Sequence, residues 1–141
     1  RYDLDEAAYL DMGDFAGGLL KYLRAHPVPR LTLAGGFAKF TKLAQGALDL
    51  HSARSRVDFA FLADLLADQG APQALRDAAL HANTAKEVLD QSLESGIDLS
   101  TPLARRTKAA VLEILRGAPV EVEVLIVDRS GRVTGETGWD D

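Results

Sequence analysis

Between Arg30 and Ala47 the hydrophobic period of the chain changes within the space of two glycines. Arg30-Leu31-Thr32-Leu33-Ala34 is short and mostly apolar, as a strand buried in a sheet would be. Phe37, Phe40, Leu43, Ala44 and Ala47 then recur at the three- and four-residue spacing of one helical face. Gly35 and Gly36 stand between them, so the segment reads as strand, tight turn, helix. Two glycines at such a turn permit positive φ and close approach of a ligand to the backbone, while the N–H groups of a helix start favour anions. The turn is therefore the local candidate for a binding loop.

The surrounding pattern is helical. Phe15, Leu19, Leu20 and Leu23 share one face of a helix expected over 14–25, with Asp14 placed as its N-cap and His26-Pro27-Val28-Pro29 ending it. Further helices are expected from Val57-Asp58 through Leu66, from Gln73 to His81, from an Asn83 or Thr84 cap to Leu93, and from Ser100-Thr101-Pro102 through Leu115. Val120–Val127 alternates and then becomes fully apolar, which predicts a strand. Asp128-Arg129-Ser130-Gly131 predicts a turn, with a short second strand after it. The tail from Gly138 to Asp141 is expected to fray. Two strands among several helices give an α/β pattern with too few strands for a complete doubly wound sheet, so the missing strands are expected upstream.

Composition narrows the function. At 141 residues one ordinary domain is expected, and 47% hydrophobic with 26% charged residues is the balance of a globular protein. A net charge of -5 argues against broad nucleic-acid binding, which runs on excess lysine and arginine. The chain has no cysteine, which excludes disulfides and thiolate metal sites and fits a reducing compartment, with cytoplasm the default. No apolar run approaches the roughly 20 residues of a membrane span.

The chemistry-bearing residues cluster near the turn. Gly36 is followed by Phe37-Ala38-Lys39-Phe40-Thr41, which matches neither a Walker A loop nor G-x-G-x-x-G. Lys39 and Lys42 lie three apart on one helical face and suit ligand carboxylates, although a solvated lysine pair would have the same spacing. His51 and Ser52 sit near Arg54 and Arg56, a set able to offer hydrogen bonds and a titratable base to a polyanion; Ser52 as a plain loop or cap residue is the alternative. No G-x-S-x-G elbow occurs, which removes the main sequence support for a serine hydrolase. His26 and His81 lack a second histidine at i+4, so no metal site is expected. Glu121 and Glu123 are expected to face solvent from one side of their strand.

Met12-Gly13-Asp14-Phe15, Leu33-Ala34-Gly35 with Lys39-Phe40-Thr41-Lys42-Leu43-Ala44-Gln45-Gly46, Leu50-His51-Ser52 and Ala82-Asn83-Thr84, in that order, resemble the CbiD family of cobalt-precorrin-5B methyltransferases. The resemblance covers the chain from about Leu10 to its terminal strand and corresponds to the later part of a longer family member. It departs from the family pattern at Gly36 and Ala38. It implies an incomplete Rossmann-like α/β fold, helix-rich, forming residues 1–141 as the second domain of a two-domain enzyme whose first domain is a partner. It also implies S-adenosylmethionine as methyl donor and a cobalt-precorrin tetrapyrrole as substrate, methylated at carbon 1 in cobalamin biosynthesis.

On that basis Lys39, Lys42, His51, Ser52 and Arg54 are the candidates for the substrate carboxylates, and Asp14, Gly35 and Gly36 for the cofactor. No catalytic base is assigned, because the cofactor carries the activated group. A non-catalytic α/β module binding a small anion or a protein partner is the alternative from another class, and a purely structural domain that self-associates is a third.

Overall fold

The structure, a computed structural model, describes residues 7–11, 16–45 and 57–139. Among these residues the element order is β1 (Ala7–Asp11), α1 (Ala16–Ala25), β2 (Arg30–Gly35), α2 (Phe37–Ala44), α3 (Phe59–Asp68), α4 (Gln73–Leu80), α5 (Ala85–Glu94), α6 (Ser100–Leu115), β3 (Glu121–Val127) and β4 (Val133–Glu136). The strands form one sheet in the order β1-β2-β3-β4. β1, β2 and β3 are parallel, and β4 returns antiparallel beside β3.

The alternation of the central strands explains the layering. Leu31 and Leu33 of β2 and Val122, Val124 and Ile126 of β3 join one buried cluster with Leu20 and Leu23 of α1, Phe37, Phe40 and Leu43 of α2, and Leu103, Val111 and Leu115 of α6. Helix α6 packs against α1, α2, β3 and β4, and α3, α4 and α5 pack on one another with α5 touching α2. The domain is mixed α/β, as expected from the sequence.

Four expectations are corrected. Among the described residues the sheet has four strands where the sequence signals two and a short third: β1 is not signalled, because Ala7-Ala8-Tyr9-Leu10-Asp11 is short and alanine is a poor strand former. Glu123 does not face solvent with Glu121; it is only 5% exposed and accepts a hydrogen bond from Thr32 Oγ1 at 3.2 Å. Glu123 and Leu125 are as buried as Val122 and Val124, so β3 hides both of its faces, which the alternating sequence of Val120–Val124 does not reveal.

The third correction concerns the tail. Gly138 and Trp139 do not fray: the buried Lys108 ammonium of α6 donates to both of their carbonyl oxygens, at 3.2 and 2.9 Å. The fourth concerns the glycine turn. Gly35 completes β2, and Gly36 is the N-cap of α2 at φ -82, ψ 164, so neither uses the left-handed conformation. Asp14 and the cap it was assigned lie outside the described residues.

Candidate functional site

Parallel strands end at one edge, and α/β sheets bind their ligands there. Here that edge is made by Asp11 at the end of β1, Gly35 at the end of β2 and Val127 at the end of β3. Register pairs Asp11 with Ala34 and Gly35 with Ile126, so the chain leaves the sheet from adjacent strands at one level.

Gly36 starts α2 at this edge. Among the described residues no side chain caps the helix and no acid occupies its first turn, so its leading N–H groups have no carboxylate of their own helix to meet. A Cβ built on Gly36 would meet nothing within 4 Å among the described residues. Phe37, Phe40, Thr41 and Leu43 form the buried face of α2, and Thr41 Oγ1 donates to the Phe37 carbonyl at 2.8 Å. Lys39 and Lys42 fall on the other side and are half-buried. Their shared face is therefore as the spacing predicts.

His51, Ser52 and Arg54 lie outside the described residues. The chain on either side of them is tied together: the Asp58 N–H donates to Gln45 Oε1 at 2.8 Å, joining the C-cap of α2 to the N-cap of α3. Gln45 and Asp58 thus meet at the end of α2 opposite Gly36. That helix has 8 residues, a span of roughly 12 Å at the α-helical rise.

On the other flank of the edge, residues 128–132 connect β3 to β4. The Asp128 carboxylate organises this turn, accepting from Ser130 N at 2.9 Å, Ser130 Oγ at 2.6 Å and Arg132 N at 3.0 Å. The Ser130 hydroxyl, then the Arg132 backbone N–H, hold the carboxyl below its ordinary value. From the sequence alone, Asp128-Arg129-Ser130-Gly131 reads as a turn and Arg132 as the start of the short strand after it.

A separate cleft of about 420 Å³ lies between α1, the end of α2 and α6, lined by Lys21, Arg24, Gln45, Glu113 and Arg116 over a floor that includes Leu43 and Ile114. α1 and α6 lead into the starts of β2 and β3, so this cleft is at the opposite edge of the sheet. Its cations stand beside helix C-termini, whose partial negative charge accounts for them. His26 and His81, given no role from sequence, have local ones: His26 stacks on Tyr22 with ring centroids 4.3 Å apart, and His81 is the C-cap of α4. Among the described residues no group of acids and histidines could hold a metal, and no helix is long and apolar enough to cross a membrane.

The fold is a mixed α/β domain whose parallel strands end together at one edge. The sequence profile described as the CbiD C-terminal domain matches residues 49–138. A Brucella anthropi protein named cobalt-precorrin-5B C(1)-methyltransferase is 60% identical over 132 residues, 94% of this chain and 36% of that protein. Proteins of the same name from Brucella abortus (strain S19) and Brucella melitensis are each 57% identical over the same shares. This chain belongs to the CbiD family, and it spans about a third of the length of the curated relatives it matches. No solved structure matches it.

Proposed function

We propose that residues 1–141 are the carboxy-terminal domain of an S-adenosylmethionine-dependent methyltransferase that acts on carbon 1 of cobalt-precorrin-5B, giving cobalt-precorrin-6A in a cytoplasmic cobalamin pathway. The observation that carries this reading is identity of 57–60% to proteins of that name along 94% of the chain. The parallel order β1-β2-β3 with helical crossovers supports a Rossmann-like half sheet, to be completed by the preceding domain. A cobalt-precorrin bears acetate and propionate arms, and cations beside an uncapped helix start suit such a ligand.

S-adenosylmethionine supplies the activated methyl group. The domain's task is to hold the ring carbon in line with that group and to keep water out. In this reading Lys39 and Lys42, with His51, Ser52 and Arg54, bind substrate carboxylates, while Asp14, Gly35 and Gly36 serve the cofactor side.

Isothermal titration of S-adenosylhomocysteine and a cobalt-corrinoid, on this chain and on the full-length gene product, tests the assignment. Binding of both ligands to the full-length protein is expected. A full-length protein that binds neither would leave an α/β module with another ligand or partner. Lys39→Ala in the full-length protein is expected to weaken corrinoid binding more than it slows turnover of the bound substrate; unchanged affinity would remove Lys39 from the site.

A further inference from the structure

We infer that the β3–β4 turn is a second substrate-binding wall, with Arg129 and Arg132 gripping carboxylate arms of the polyanionic substrate across the sheet edge from Lys39. This inference rests on the substrate class proposed above. Its first support is placement. Gly35 is the register partner of Ile126, so Gly36 and the first turn of α2 rise beside Val127 and the turn that follows it. Neighbouring strands are about 4.8 Å apart, and an arginine side chain is longer than that gap.

Charge is the second support. Residues 128–132 contain two arginines and one acid, a net positive turn in which Asp128 Oδ1 takes three hydrogen bonds and the Arg132 charge also acts on the carboxylate. Both arginines are exposed, and neither forms a salt bridge among the described residues. The two arginines outnumber Asp128 in this turn, so the β3 end of the margin is basic and suits a polyanion lying between the turn and the start of α2.

Rigidity is the third. The turn is fixed from within by Asp128, from one side by the Asp128 N–H donating to the Arg132 carbonyl at 2.9 Å, and from below by β4, whose Gly135 seats directly on Ser100 of α6. Guanidinium groups on such a base can be presented without ordering a loop on binding, and their planar forks match carboxylates.

The test uses the full-length enzyme with a cobalt-corrinoid. Arg129→Ala and Arg132→Ala are each expected to raise its Kd and the substrate KM about fivefold, the upper range for an exposed charge pair, and the double variant roughly twentyfold. kcat should fall by less than KM rises, and the salt dependence of binding should flatten. Affinity for S-adenosylhomocysteine should stay at the wild-type value, which also reports an intact fold. The double Arg129→Lys, Arg132→Lys variant should recover part of the loss. A double alanine variant with wild-type Kd and salt slope would overturn the inference and leave the proposed function standing; a wild-type enzyme that binds no corrinoid would overturn both.

Discussion

Gly135 lacks a side chain because there is no room for one. A Cβ there would lie 2.5 Å from the carbonyl carbon of Ser100 and 2.7 Å from its oxygen, which are backbone atoms that cannot rotate away. Gly135→Ala should therefore cost about 1–3 kcal/mol through forced separation of β4 from α6, read as a lower urea midpoint at unchanged slope. Asp128 carries a different signature. Its folded carboxyl is held below the ordinary value of 3.8, so its unfolded form takes up a proton first as pH falls. Its stabilising contribution is full above 3.8 and fades as pH drops through the lower folded value. Asp128→Asn should thus be less stable than wild type at pH 7, with the gap closing below pH 3.8 in parallel acid titrations. At this scale the helical face that Lys39 and Lys42 share is legible from spacing alone. The relevance of Arg129 and Arg132 is not, because it depends on which strand end lies beside Gly36, and that is a fact of sheet order.

Among elements, the cap of α5 is legible: Thr84, offered with Asn83 as its cap by the sequence, accepts from Glu87 N, whereas the cap of α3, Asp58 accepting from Ala60 N, is one the sequence reading leaves unnamed. Helix α6 was harder: Ser100-Thr101 resembles a cap, yet the N–H groups of both donate to Asp98 Oδ1, two and three residues away. The exit of α6 breaks a preference. Arg116 is its C-cap at φ 49, ψ 48, a left-handed conformation that glycine adopts without strain and arginine does not, and Gly117 follows at φ 80. Arg116→Gly should stabilise the domain by about 0.5–1 kcal/mol, visible as a higher thermal midpoint. An unchanged or lower midpoint would mean that the arginine side chain, at the mouth of the cleft beside α1, returns more than its backbone loses.

For the molecule as a whole, the α/β class was legible from one change of hydrophobic period at Gly35-Gly36, and the family from four short blocks of sequence. The burial of Glu123 was not, since a strand's second face is decided by what lies on either side of it. Nor was the role of the tail. Because Lys108 sits in the middle of the longest helix and its ammonium is satisfied by the carbonyls of Gly138 and Trp139, the far end of the chain is a keystone of α6. A nick between Thr137 and Gly138 would be expected to register about two helical turns inside α6, as faster amide exchange around Lys108.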